Sequence, residues 1–213
     1  MKDRLLKERL LLTLVIGRQD APGKDIRDIA LAAFKGGATA LQLREKTLSD
    51  RELYEDALSL ATLARELGRL FIVNNRVDIA LAVDADGVHL GEEDLPLEAA
   101  RGMLPRGCVL GFSASSKEKG AEAILKGADY LGVGALYPSP SKPEAPVLRA
   151  NEVGPIISLK WPTVGIGGIS LANAQDAWAM GFTGLAVISA IAQAGDPEGA
   201  ARELISLRPK AKA

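Results

Sequence analysis

Short apolar runs alternate with segments of helical period along the whole chain. Eight of these runs have the length of a strand and almost no polar positions, which is typical of parallel strands buried on both faces. They cover residues 10–16, 39–43, 70–73, 87–90, 108–112, 130–134, 162–166 and 184–188. Eight strand–helix units in a chain of 213 residues predict an α/β protein built as one (β/α)8 TIM barrel, rather than an open doubly wound sheet.

The segments between the runs carry the signals that begin and end helices. The longest, residues 49–67, opens with the capping-box pair Ser49 and Glu52 and stops before Gly68. Four helices run into a corner of small residues just before a strand, in the segments KGGATA, AVDADGV, KGADYLGV and MGFTGLAV. This recurrence is a weak internal repeat of strand–helix units.

Composition limits the classes of function. The chain is 47% hydrophobic, and its 26 Lys and Arg nearly balance its 27 Asp and Glu, so no overall field favours nucleic acid or an anionic membrane. The apolar run near the start is too short to cross a bilayer. We therefore expect a cytoplasmic protein of one domain, residues 1–213, with a charged extension at about residues 1–9 and a basic tail at about 208–213.

The chain has one cysteine and one histidine, and both stand inside apolar runs. Cys108 cannot form an intrachain disulfide, and its strand-like surroundings favour a packed thiol over a catalytic one. His89 alternates with Val88 in a strand, which favours a hydrogen-bonded histidine of the barrel over a catalytic histidine.

Polar or glycine-rich segments follow the strands and do not precede them. From the second run to the eighth they are REK, NNR, GEED, SASS, YPSPSKPEAP, GGIS and SA. Because the chemistry of such barrels sits at the carboxyl ends of the strands, we expect these loops to meet at one mouth.

The segment after the second strand places an amide and two cations in register. Gln42, Arg44 and Lys46 alternate along the chain, so they share one face, and the two cations suit a phosphate or diphosphate. The alternative is a solvated loop in which Glu45 pairs with Lys46.

The segment GIGGIS follows the seventh strand. It does not complete a dinucleotide fingerprint, but the loops after strands 7 and 8 commonly bind phosphate in this fold. Gly167 and Gly168 would leave backbone N–H groups open to an anion, and Ser189 would complete that cradle. The alternative is a pair of glycines required only by a tight turn.

Asp94, with Glu92 and Glu93 beside it, is a candidate ligand for a hard cation. The alternatives are a solvated charge run or a helix cap before Pro96. The chain shows no Ser-His-Asp set and no Cys/His metal cluster. The residues alone therefore predict an enzyme that acts on phosphorylated small molecules with Mg²⁺.

In order along the chain, the segments QLREK, VNNRVDIALAVDADGVHLGEEDLP, GFSASS, ADYLGVGALYPSPSK, GIGGI and AVISAI resemble the thiamine-phosphate synthase family. The resemblance implies a Mg²⁺-dependent TIM-barrel transferase. It would join 4-amino-2-methyl-5-hydroxymethylpyrimidine diphosphate to 4-methyl-5-(2-hydroxyethyl)thiazole phosphate and release pyrophosphate, through a pyrimidine carbocation. Small phosphorylated substrates are then the expected partners, without nucleic acid or membrane, and a homodimer is compatible with the family.

Matching the family residue by residue assigns the candidate site. The pyrimidine diphosphate would be bound by Gln42, Leu43, Arg44, Glu45, Lys46, Asn74, Ser113 and Lys142, of which Arg44, Lys46, Ser113 and Lys142 would be catalytic. The thiazole phosphate would be bound by Ser139, Pro140, Ser141, Gly168, Ile188 and Ser189. The Mg²⁺ ligands would be Asp94 and Asn75.

The chain departs from the family's pattern at three places. Ser139 and Ser141 replace threonines, which keeps the hydroxyl groups. Asn75 replaces the aspartate that normally ligates the metal, which predicts weaker Mg²⁺ binding. Ser115 stands where a sister family, the thiazole tautomerases, has a histidine, which favours the synthase. A tautomerase and a non-catalytic binder of thiamine intermediates remain the alternatives.

Overall fold

The structure is a computed structural model that describes residues 2–139 and 146–209, with residues 2–4 described by their backbone alone. Eight parallel strands form a closed barrel in the order of the sequence. They are β1 Leu12–Ile16, β2 Ala40–Leu43, β3 Leu70–Asn74, β4 Gly87–Leu90, β5 Val109–Ser113, β6 Tyr130–Val133, β7 Thr163–Ile166 and β8 Gly184–Val187. The predicted TIM barrel is confirmed, because each predicted run overlaps one strand, with boundaries that differ by at most two residues.

Helices surround the barrel. They are α1 Lys2–Arg9, α2 Ile26–Lys35, α3 Asp50–Glu66, α4 Val77–Ala82, α5 Leu97–Met103, α6 Lys117–Leu125, α7 Ala150–Ile157, α8 Ala174–Ala179, α9 Ser189–Ala192 and α10 Pro197–Ser206. The predicted capping box is present, because the Ser49 hydroxyl accepts from Glu52 N and the Glu52 carboxylate accepts from Ser49 N at 3.1 Å. In the described part of the chain, no helix combines the length and the apolar character needed to cross a bilayer.

Two apolar layers hold these elements together. Alternate strand residues, including Val15 and Ile72, form a cluster inside the barrel, while their neighbours pack outward against the helices. The charged start of the chain forms helix α1, whose Leu6 packs on the inner cluster beside the fully buried Leu10. Arg9, the last residue of this helix, pairs with Asp86 at 3.1 Å, so the segment is tied to the barrel.

One hydrogen bond recurs at the amino-terminal end of the barrel. The residue just before each even-numbered strand is an Asp or a Thr, and its side-chain oxygen accepts from a backbone N–H of the preceding odd-numbered strand. The four pairs are Thr39 with Leu12 N (3.1 Å), Asp86 with Phe71 N (2.9 Å), Asp129 with Leu110 N (2.8 Å) and Thr183 with Thr163 N (3.2 Å). These are the four corners of the sequence repeat, so the barrel consists of four two-strand units that are joined in the same way.

Cys108 also lies at this amino-terminal end, directly before β5. Its Sγ is 3.9 Å from the Ala85 carbonyl oxygen, and burial raises the pKa of the thiol. The interpretation of Cys108 as a packed thiol is therefore confirmed.

Candidate active site

The carboxyl ends of the strands bring several predicted site residues to one mouth. Gln42 lies inside β2, whereas Asn74 and Ser113 are the last residues of β3 and β5. Arg44 and Lys46 follow directly after β2. Leu43 has its side chain in the outer core, so only its backbone faces this end of the barrel.

Arg44 is fixed through its backbone, while its charged group has no ion pair in the described part of the chain. Its N–H donates to the Ile16 carbonyl at 2.9 Å and its carbonyl accepts from Gln19 Nε2 at 3.1 Å. Burial raises the pKa of Asp20, and the hydrogen bond from Gly17 N and the charge of Arg44 offset part of that rise. The positive charge of Arg44 therefore acts on a buried carboxylate from the loop after β1.

Glu45 does not pair with Lys46 among the described residues, as the solvated-loop alternative would require. Its carboxylate instead accepts from Arg18 N, and burial raises its pKa. Lys46 is exposed and lies next to Arg44 at the mouth. Both cations are thus placed to meet an anion.

The loop after β1 belongs to this mouth, although the sequence argument did not include it. Asp20 is buried and accepts from Gly17 N at 2.9 Å, which closes a tight turn. A side chain at Gly17 would press on the Arg44 carbonyl oxygen and on the Glu45 carboxylate, at 2.7 Å from Oε1. The segment GRQD directly follows a strand, and this position was the signal that could have revealed it.

A buried polar chain runs through the interior of the barrel to the mouth. His89 Nδ1 is 2.9 Å from the Tyr130 hydroxyl, and its Nε2 is 2.9 Å from Ser113 Oγ. The Gln42 amide approaches the same Tyr130 hydroxyl. Burial lowers the pKa of His89 to about 4 and raises that of Tyr130, so both side chains are neutral at pH 7. His89 is the hydrogen-bonded barrel histidine that was predicted, but its partner Ser113 is itself a site residue.

Asp94 and Asn75 are the predicted Mg²⁺ ligands, and both have a defined local geometry. Asp94 Oδ2 accepts from Gly91 N at 2.6 Å, and helix α5 begins only at Leu97, so this carboxylate closes a turn and does not cap the helix. Asn75 is exposed in the left-handed region at φ +64°.

Glu92 already has partners, because its carboxylate accepts from Ser115 Oγ at 3.0 Å and pairs with Lys119. No group of three or more His, Cys, Asp or Glu able to hold a metal occurs among the described residues. One carboxylate and one amide still fit a Mg²⁺ ion that takes most of its ligands from substrate phosphates and water.

The glycines after β7 are required by the approach of the loop after β6. Gly167 and Gly168 have φ of +100° and +64°, a region that other residues rarely adopt. A Cβ at Gly168 would lie 2.6 Å from the Tyr137 carbonyl oxygen, and Tyr137 N donates to Gly167 O at 3.0 Å. The tight-turn alternative therefore accounts for both glycines, and the phosphate cradle remains a prediction.

Ser139 lies two residues beyond Tyr137 in the loop after β6. Ile188 and Ser189 stand at the start of α9, directly after β8. Pro140, Ser141 and Lys142 lie outside the described residues, so their assignments stay predictions.

The family model described as thiamine monophosphate synthase matches residues 12–191. This chain belongs to the thiamine monophosphate synthase family. It is 44% identical over 205 residues to a thiamine-phosphate synthase of Coprothermobacter proteolyticus, which covers 96% of this chain and 97% of that protein. A thiamine-phosphate synthase of Pyrococcus furiosus is 43% identical over 201 residues, which cover 93% of this chain and 95% of that one.

Solved structures agree with the membership of the thiamine monophosphate synthase family. A thiamine phosphate pyrophosphorylase from Pyrococcus furiosus superposes with a TM-score of 0.87 at 42% identity, over 95% of this chain and 96% of that chain. A 3-hexulose-6-phosphate synthase superposes with a TM-score of 0.66 at 16% identity, over 94% and 100% of the two chains. The second likeness shows a shared fold alone.

Proposed function

We propose that this protein is a thiamine-phosphate synthase. It would join 4-amino-2-methyl-5-hydroxymethylpyrimidine diphosphate to 4-methyl-5-(2-hydroxyethyl)thiazole phosphate and release pyrophosphate. The observation that carries the proposal is the mouth itself, in a chain that belongs to this family: Arg44 and Lys46 have no ion pair among the described residues. They follow β2, which contains Gln42, at the same end of the barrel as Asn74 of the adjacent strand β3 and Ser113 of β5.

The cations act on the leaving group. When the carbon–oxygen bond of the pyrimidine diphosphate breaks, negative charge grows on pyrophosphate. Arg44 offers a planar fork of donors and Lys46 a mobile point charge, and both stabilise that charge more than they stabilise the substrate. The carbocation left on the pyrimidine is then captured by the thiazole nitrogen, which forms the carbon–nitrogen bond.

This route does not need a general base, and the described site contains none poised for the task. The attacking nitrogen uses a lone pair and carries no proton that must be removed. His89 is buried and neutral, with both ring nitrogens engaged. The protein therefore has to bind and orient the two substrates and to supply positive charge to the leaving group.

Mg²⁺ is part of the proposal. Asp94 and Asn75 would hold it together with diphosphate oxygens, and bound there it would neutralise part of the charge on the leaving group. Because the protein offers one carboxylate in place of two, its own ligands would bind Mg²⁺ less strongly, and the diphosphate oxygens of the substrate would supply more of the binding.

One observation favours the synthase over the tautomerase. Proton transfer by a tautomerase needs an acid–base group at the mouth, and the chain's single histidine lies inside the barrel. At the position of the tautomerase histidine, the Ser115 hydroxyl donates to Glu92 at 3.0 Å.

The test is an assay of the purified chain with both substrates across a Mg²⁺ titration, in which thiamine phosphate and pyrophosphate are both measured. We expect the two products in equal amounts, and neither when one substrate is omitted. Turnover of the thiazole carboxylate phosphate without the pyrimidine diphosphate would instead identify a tautomerase. Thermal stabilisation by the substrates without any product would identify a binder.

A further inference from the structure

Ser113 is the only member of the buried polar chain that reaches the exposed surface of the mouth. The interior part of that chain consists of Tyr130 on β6 and His89 on β4, which are 3% and 9% exposed. Their hydrogen bonds of 2.9 Å connect the Ser113 hydroxyl, through the imidazole, to a phenol deep in the barrel.

The barrel is shaped around this imidazole. A Cβ at Gly111 would lie 2.5 Å from His89 Nδ1, and a Cβ at Gly132 would lie 2.9 Å from His89 Cε1. Both glycines have ordinary backbone conformations, so a turn does not require them. The space that they leave holds the ring between Tyr130 and Ser113.

The hydrogen bonds can run in two directions, and the chemistry of the ligand distinguishes them. If Ser113 donates to His89, its only proton is used and it can offer a substrate nothing but lone pairs. If Tyr130 donates to His89 Nδ1, the neutral ring must donate from Nε2 to Ser113, and the serine O–H is free. Diphosphate oxygens are acceptors only, so they match the second direction.

Gln42 also interacts with the Tyr130 hydroxyl. In the second direction the phenol donates its single proton to His89, so the Gln42 amide must serve the phenol as a donor.

We propose that His89 and Tyr130 are positioning residues that hold the Ser113 hydroxyl with its proton directed at the diphosphate of the substrate. The role of the substrate in this inference rests on the proposed function. The orientation of the imidazole proton can be tested without it.

The first experiment uses the fact that the chain has a single histidine. Long-range ¹H–¹⁵N NMR of the labelled protein reports the tautomer of His89 without assignment of other signals. We expect the proton on Nε2 at pH 7 in the wild type, and a shift toward the Nδ1–H form in Tyr130→Phe, which keeps the ring but loses the donor. A wild-type proton on Nδ1 would overturn the proposal.

The second experiment is a double-mutant cycle between His89 and Ser113. We expect Ser113→Ala and His89→Asn each to lower kcat/KM for the pyrimidine diphosphate by about tenfold, with KM for the thiazole phosphate unchanged. Because His89 acts through the serine, the double variant should be no worse than Ser113→Ala. Additive losses would contradict the hydrogen-bond relay from Tyr130 through His89 to Ser113.

Two further variants separate positioning from packing. His89→Gln places an amide donor near the position of Nε2 and should recover most of the loss seen in His89→Asn. Thr13→Val removes another buried hydroxyl of the barrel, which has no hydrogen-bond partner among the described residues, and should leave the kinetics unchanged. Equal losses in all three variants would indicate a structural effect and overturn the proposal.

The failure of this inference can be distinguished from the failure of the proposed function. A wild type without turnover of the two substrates refutes the proposed function, while the tautomer measurement still tests the relay. A wild type that turns over, but holds its proton on Nδ1, refutes the relay alone.

Discussion

The two ends of the barrel use charged residues in opposite ways. At the amino-terminal end, Asp129 accepts from Leu110 N at 2.8 Å and from Arg101 at 2.6 Å, and Asp86 makes the equivalent pair of contacts. At the carboxyl-terminal end, Arg44 and Lys46 form no ion pair with a described residue. Asp86 and Asp129 at the first end are thus paired within the protein, whereas Arg44 and Lys46 at the second end have no such partner among the described residues.

The difference separates stability from chemistry within one architecture. The amino-terminal contacts join strand to strand at four equivalent corners, so their loss should affect folding. We expect the cations at the mouth to contribute little to folding and, under the proposed function, to act where charge changes during the reaction. Substitutions at the two ends should therefore act on different observables.

The largest effect is expected at the mouth. Arg44→Ala should lower kcat/KM by roughly 10²- to 10³-fold, because it removes a donor that stabilises the leaving pyrophosphate. The free energy of unfolding should change by less than about 1 kcal/mol. Steady-state kinetics and urea unfolding measure the two quantities, and Arg51→Ala, an exposed arginine on α3, is the matched control. Full activity in Arg44→Ala would show that the site assignment is wrong.

The second-largest effect is expected at His89, which lies between the two ends of the barrel. Its pKa is lowered to about 4 from 6.5, so at intermediate pH the unfolded chain binds a proton that the folded barrel does not. The free energy of unfolding should thus fall as the pH drops from 6.5 toward 4, by on the order of 3 kcal/mol.

The measurement is urea unfolding over this pH range in the wild type and in His89→Asn. The groups that face the ring, Tyr130 from β6 and Ser113 from β5, are neutral, and carboxylates titrate in both proteins and cancel in the difference. Parallel pH profiles of the two proteins would contradict a neutral buried histidine.

A smaller loss of stability is expected at the amino-terminal end. Asp129→Ala leaves Leu110 N and one arginine donor without their acceptor, which should lower the free energy of unfolding by about 2 kcal/mol. The kcat/KM of the folded protein should stay unchanged. Asp176→Ala, which removes an exposed carboxylate on α8, is the control and should fall within about 0.5 kcal/mol of the wild type. A large loss of activity in Asp129→Ala would contradict the division of stability and activity between the two ends of the barrel.

The smallest effect concerns the metal. Asn75→Asp adds a carboxylate at a position whose left-handed backbone Asp also tolerates, so it should lower the Mg²⁺ concentration for half-maximal activity by roughly tenfold. Asp94→Asn should shift it in the opposite direction. Equal metal requirements in Asn75→Asp and the wild type would refute the inference that Asn75 weakens the site.

The fold was largely predictable because buried parallel strands consist of continuous runs of apolar residues. Helix α1 was not predicted, since it has only eight residues and most of them are charged, and such a helix depends on packing for its stability. Its contacts through Leu6 and Arg9 exist only once the barrel has closed.

Part of the candidate site was predictable from local sequence in the same way. Arg44 and Lys46 follow from their position after a strand and from the alternation of a strand's faces. Asp20 was missed, because its burial beside Arg44 joins two loops that a reading of single segments treats apart. The hydrogen bond of His89 to Ser113 was missed for the same reason.

Local order along the chain thus decides which segments become strands and which residues stand at their carboxyl ends, because period and strand length are local properties. It cannot decide which interior side chains touch. Tyr130 and Ser113 are separated from His89 by 41 and 24 residues, and they meet because β4, β5 and β6 pair in a register that sets His89 opposite Gly111 and Gly111 opposite Tyr130. The hydrogen-bonded chain that connects the core to the mouth is therefore a property of the assembled sheet.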